Sequence, residues 1–277
     1  MRNLSLHFRI CLFIGLALVL TTSAAAQTPN SSPSEAPSAD SGKAEKIINS
    51  AVAAIGGDTY LTVRTVVGRG FYTTYQDGVS LVPTRFLDYI AFPDKERTEF
   101  TSQGIRVINT NNGTTGWLYD GATKSLHDLK PAQIDDFKRS MRTSVENVLR
   151  GWWRKENASL SYAGRREAGL AKRNETVRVT YPDGFWVEFE FGARDSIPAK
   201  VIYKRMRTKA DSDETEEVTE EDVLAKFVSV DGVSAPFVID HFINGKQTSR
   251  VNYESIEYNR PLADTLFAKP ANAKSVK

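Results

Sequence analysis

The chain has 277 residues, of which 40% are hydrophobic and 10% aromatic, with 36 Lys and Arg against 34 Asp and Glu and a single cysteine. The formal charge of +2 resides in Arg2 and Arg9 at the N-terminus; without these two, 34 basic residues face 34 acidic ones. A balanced chain of this kind offers no clustered positive field for nucleic acid, and no general attraction to anionic membranes.

In chain order, Arg2 and Arg9 precede an apolar run over residues 10–20, and Ala24, Ala25 and Ala26 follow. Positive end, apolar run and small residues are the three parts of a secretory signal, so residues 1–26 are expected to be removed before Gln27. The run is shorter than the roughly 20 apolar residues that a membrane helix needs, and no second such stretch follows. The mature chain is therefore expected not to span a membrane. Cys11 stands at the start of the run, after Arg9 and Ile10, where lipid attachment is not expected. Cleavage would leave the mature chain without a thiol, and about 250 residues can bury a large core without disulfides.

Residues 27–42 are rich in Pro, Ser and Ala and read as a flexible tether. Residues 43–277 read as one domain, because nothing divides them. Ala44, Ile47, Ile48, Ala51, Val52 and Ile55 recur at helical spacing, and Gly56-Gly57 stops the helix. Strand-like segments follow over 60–75, 86–92, 96–102, 105–109 and 116–119. The turns between them are too short for parallel crossovers, which predicts an antiparallel meander.

A helix is then expected from Pro131 to Gly151. Asp135 and Asp136 lie near its positive end, and Ile134, Phe137, Met141, Val145, Val148, Leu149 and Trp152 form one apolar stripe that must lie on the sheet. Strands resume over 175–182, and Phe185, Val187, Phe189 and Phe191 share a face opposite Trp186, Glu188 and Glu190. Further strands are expected over 199–208, 223–230, 234–244 and 247–258. The turns Asp231-Gly232 and Asn244-Gly245 suit tight hairpins, and residues 260–267 read as a docked turn. The count is about eleven strands and two main helices.

Little in this chain points to catalysis. His127, in a polar loop segment, and His241, in a strand, lack the spaced partners of a metal site. There is no nucleophile elbow, phosphate loop or dinucleotide fingerprint. The expectation is a non-enzymatic protein without metal or cofactor. Residues 211–222 carry eight acids in twelve positions; their spacing does not fit a calcium loop, and they read as a solvated hairpin. The aromatic residues, including Trp117, Trp152, Trp153 and Trp186, admit two readings. They fill a solid core, or helices cover a curved open sheet and leave an apolar cavity.

Five segments carry a resemblance: residues 46–57, 116–120 (GWLYD), 198–204 (PAKVIYK), 227–237 (FVSVDGVSAPF) and 261–270 (PLADTLFAKP). With the order of helix, strands, central helix and strands, the chain resembles the periplasmic outer-membrane lipoprotein-sorting proteins of the LolA/LolB-like superfamily over most of residues 43–272. The resemblance implies a mainly β protein with covering helices (α+β). Its form would be an open antiparallel β half-barrel of about eleven strands with a helical lid, located in the periplasm. In that family the inner face receives the acyl chains of a lipoprotein, and a buried arginine latches the lid. The expected function is thus a binding or carrier protein for an acyl chain, a lipoprotein or a similar hydrophobic ligand, with an envelope protein as a possible partner. Phe137, Met141, Val145 and Trp152 would form the lid, and Phe185, Val187, Phe189 and Phe191 the inner wall. The alternative is a non-catalytic envelope structural or protein-interaction module with a filled core.

Overall fold

The computed structural model describes residues 39–208 and 214–276; the expected signal peptide and most of the tether lie outside them. The first helix, α1 (Ala39–Ala54), begins inside the segment read as tether. Its apolar side, Ala44, Ile48 and Ala51, is buried together with Ile55 just beyond its end. Gly56 then takes φ 131°, a value that favours glycine, and a side chain there would meet the Gly232 carbonyl at 2.5 Å. This close approach docks the end of α1 on a distant hairpin, where Ser234 N–H donates to the Ile55 carbonyl at 2.9 Å.

A short helix, α2 (Gly57–Leu61), takes in Tyr60, so the first strand, β1 (Thr65–Gln76), starts later than residue 60. Then follow β2 (Val79–Ser80), β3 (Thr84–Ala91), β4 (Lys95–Ser102), β5 (Ile105–Asn112), β6 (Thr115–Asp120) and β7 (Ser125–Asp128). His127 thus lies in a strand rather than a loop. The second half comprises β8 (Ser159–Glu167), β9 (Arg173–Thr180), β10 (Trp186–Gly192), β11 (Pro198–Thr208), β12 (Thr215–Val230), β13 (Val233–Ile243) and β14 (Lys246–Tyr258). Among the described residues all pair antiparallel in one sheet of fourteen strands, rather than eleven, in the order β7-β6-β5-β4-β3-β1-β14-β13-β12-β11-β10-β9-β8, with β2 attached to β1. The excess over the expected count comes from the short strands β2 and β7, which carry little pattern, and from β8 (Ser159–Glu167), where no strand was expected.

Two meanders are therefore joined through the first and last strands. At the junction the register shifts between Arg69 and Gly70. A side chain on Gly70 would fall 1.9 Å from the Asn252 carbonyl oxygen, so the pairing of β1 with β14 depends on that glycine. The sheet is open, with β7 and β8 as its free edges.

The chain between those edges crosses the inner face. The expected single helix is divided into α3 (Pro131–Thr143) and α4 (Val145–Leu149). The break is Ser144, whose extended backbone (ψ 144°) lets its Oγ accept from Asn147 N–H and cap α4, as a serine N-cap does. Trp152 consequently leaves the stripe and starts a 3-10 turn, Trp152–Glu156.

The run of acids also differs from expectation. From Thr215 onward it forms β12, and of this run residues 211–213 lie outside the described part. On the outer face, Trp117 Nε1–H donates to the Phe267 carbonyl at 3.0 Å and Arg97 to the Leu266 carbonyl at 2.9 Å. These bonds seat the C-terminal segment on the β1–β7 half and bury Phe267. No helix among the described residues is long and apolar enough to cross a membrane.

Candidate functional site

The inner face has two kinds of ground. Under α1 it is apolar and filled: Val177, Val179, Val187, Phe189, Phe191 and Val201 form one cluster with Ala44, Ile48 and Ala51 of the helix, and Val187, Phe189 and Phe191 are almost wholly shielded from water. Further along, the lid stands off the sheet. A cavity of about 250 Å³ lies there, bounded by Val66 and Phe92, by Val201, Leu224, Phe227, Val233 and Ile239 on the second meander, by Tyr258 of β14, and by residues 143–146 of the lid. Its wall is mostly carbon.

One arginine holds the lid over this cavity. Arg150, at the C-terminal end of α4, donates to the carbonyls of Tyr60 (2.9 Å), Val63 (3.2 Å) and Leu61 (3.3 Å). Its guanidinium stands 4.5 Å from the Tyr60 ring centroid, 4.6 Å from that of Phe92 and 5.7 Å from that of Trp152. Carbonyl and aromatic contacts together give a cation a strong hold in a partly dry place. Glu146, Tyr60 and Arg150 mark the polar end of the cavity. Burial pushes the Glu146 carboxyl up, against the pull of the Arg150 charge. Burial, reinforced by Glu146, also raises the Tyr60 hydroxyl, which remains a neutral donor.

Beyond the apolar cavity the inner face turns polar. Glu220 is buried, and it accepts from Tyr203 Oη and from Arg205 Nε. His241 Nδ1 lies 2.6 Å from Asp222 Oδ1, and Nε2 lies 3.7 Å from Glu220. Burial alone would lower the imidazole, but the Asp222 hydrogen bond and the charges of Asp222 and Glu220 prevail and hold it above its ordinary value. Asp88 is buried in the other meander; burial and the charge of Glu96 raise its carboxyl well above the usual range.

Of the residues expected at the site, only Val145 borders the apolar cavity. Val187, Phe189 and Phe191 face inward as expected, but α1 covers them. Phe137 is buried beside a separate polar chamber of about 190 Å³ with Glu96, Asn109 and Asn111. Met141 and Phe185 border an outer cleft with Arg142 and Asp183. Trp152 packs against Phe92 at 5.5 Å, behind Arg150. Sequence reasoning missed Tyr60, Arg150 and the carboxyls of the inner face. Alternation within β12 was the available signal: Val218, Glu220 and Asp222 fall on one side of a strand.

An open antiparallel sheet whose inner face is bridged by a helical lid, with an apolar cavity between them, defines a class of ligand-enclosing folds. Within it the fold is LolA-like. Three solved structures are similar to this chain. A DUF1329 family protein from Desulfovibrio piger has a TM-score of 0.56 at 12% identity, covering 81% of this chain and 97% of that one. A putative outer membrane lipoprotein-sorting protein domain from Vibrio parahaemolyticus has a TM-score of 0.55 at 12% identity, covering 83% and 98%. A LolA superfamily protein from Nitrosomonas europaea has a TM-score of 0.51 at 13% identity, covering 82% and 97%. No family model and no curated protein matches the sequence. At these identities the likeness establishes the fold and leaves function to be argued from the cavity.

Proposed function

We propose that the protein is a periplasmic binding or carrier protein for an acyl chain or a similar apolar ligand, which it holds between α4 and the sheet. The observation that carries this reading is the mostly apolar cavity of about 250 Å³ under an arginine-latched lid. A filled interaction module has no need of such a space. Each buried methylene of a ligand contributes about 0.8 kcal/mol. The lid takes no part in strand pairing. The wall residues differ from those read from the pattern: Leu224, Val233 and Ile239 replace Val187, Phe189 and Phe191, while Val145 stays.

Native mass spectrometry of the gently purified mature protein, with uptake of a fluorescent fatty acid, tests the proposal. Bound lipid or saturable 1:1 uptake is expected. Val145→Trp, which fills the cavity from the lid, should abolish uptake, whereas Leu170→Trp on the exposed surface should not. Absence of both co-purified lipid and uptake would overturn the reading.

A further inference from the structure

Resting on the carrier reading, we infer that the ligand reaches the cavity through the sheet itself, at a seam where β11 and β12 part, with Pro198, Leu224 and Phe227 as the gate. β11 extends back to Pro198 and β12 forward to Val230, yet the register between them ends where Lys200 faces Val223. From Leu224 onward β12 pairs, among the described residues, with β13 alone. A stretch of strand with one neighbour is an edge, so the sheet carries an internal edge here in addition to β7 and β8.

A bulge lies at the parting. The pairing of β12 with β13 passes from Ala225 with Val238 to Phe227 with Pro236 and leaves Lys226 out, and Lys226 takes φ 56°. Such an extra residue bends its strand, and the bend falls in the stretch where β12 has lost β11 as a neighbour.

The same three residues stand on two spaces. Pro198, Leu224 and Phe227 border the apolar cavity of the inner face, and they also border an outer cleft together with Ile197, Ile202 and Val223. The partition between cavity and cleft is thus made of side chains, with no strand pair across it. Leu224 and Phe227 are half-buried, and rotating a side chain is a far smaller event than separating bonded strands. Carbon on both sides of the gate gives an acyl chain an apolar path. The latched lid gives none: Arg150 ties it to the carbonyls of Tyr60, Leu61 and Val63, so entry there breaks three charge-assisted bonds.

The only cysteine of the chain, Cys11, lies in the segment expected to be cleaved, so a thiol placed at the seam can be labelled alone. Ala199→Cys, on the outer cleft, and Val82→Cys, on the exposed link between β2 and β3, each carry the same bulky maleimide. Stopped-flow uptake and release of a fluorescent fatty acid are compared with those of the unlabelled variants and the parent protein. The label at the seam is expected to slow both rates by at least about tenfold while Kd stays within about twofold, as a gate rather than a wall contact requires. The label at Val82 should change neither rate, and Arg150→Met, which frees the lid, should accelerate neither. Ile202→Cys, on the same cleft, takes the place of Ala199→Cys if the unlabelled variant does not melt as the parent does. Rates untouched by the seam label, a loss of affinity without slower uptake, or faster uptake in Arg150→Met overturns the seam and leaves the carrier reading standing. If the parent protein takes up no fatty acid and carries no lipid, the carrier reading fails and the seam with it.

Discussion

Asp88 is 7% exposed, and its carboxyl oxygen Oδ1 accepts from Thr98 Oγ1 at 2.9 Å. Its carboxyl, raised by burial and by Glu96, is favoured in the neutral form when the protein is folded. A group whose folded pKa is raised contributes stability that is complete below its unfolded value, near about 4 for Asp. That contribution is lost as pH climbs through the folded value. Glu96 and Glu146, also raised by burial, act in the same direction. Asp88→Asn keeps an acceptor for Thr98 and removes the ionisation. Thermal melts between pH 5 and pH 8 should show a smaller loss of stability in the variant, with a higher midpoint at pH 8 by about 2–4 °C for each kcal/mol relieved. A steeper loss would mean that the Asp88 carboxylate is paired in a way the fold does not show. None of this was visible in the sequence, where Asp88 is one acid in an alternating strand. Burial of a carboxyl depends on which face the lid covers, and strand alternation alone does not say which face that is.

At the scale of elements, the lid shows what local pattern can and cannot fix. The stripe from Ile134 to Leu149 was legible because helical spacing is a short-range property. The division at Ser144 was not, although Thr143-Ser144 preceding Glu146 and Asn147 is a plausible cap sequence. A continuous stripe hides a break when both pieces lay their apolar sides on the same surface. Arg150 was missed for a related reason: its partners are carbonyls of residues 60–63, and backbone acceptors leave no trace in a sequence. Arg150→Met keeps bulk while removing the three bonds. It should cost about 2–4 kcal/mol, given roughly 1.5–3 kcal/mol for hydrogen bonds to charged groups. Hydrogen exchange should quicken in α4 and residues 60–63 ahead of the strands. Uniform acceleration across the sheet would argue against a local latch.

At the scale of the whole molecule, the antiparallel character and the lid between two runs of strands were legible, because turn spacing and the change of period mark them. The closing partnership of β1 with β14 was not, since residues 188 positions apart, such as Arg69 and Glu257, are brought together only by the complete fold. Gly70 is the narrowest point of that partnership. Gly70→Ala should cost more than the 0.5–3 kcal/mol usual for a point change. Chemical denaturation of the variant and the parent protein measures it; an unaltered midpoint would show that the junction can yield.

The two meanders meet through main-chain bonds at β1 and β14, while the only covalent link between β7 and β8 is the lid itself. A cut at the α3–α4 break would therefore sever the peptide chain without severing the sheet. The products, one ending after β7 and the other starting before β8, should stay together as a non-covalent pair whose second fragment keeps its C-terminal segment docked on the first. In that sense the molecule is a natural split protein, in which the segment that crosses the inner face carries none of the strand pairs.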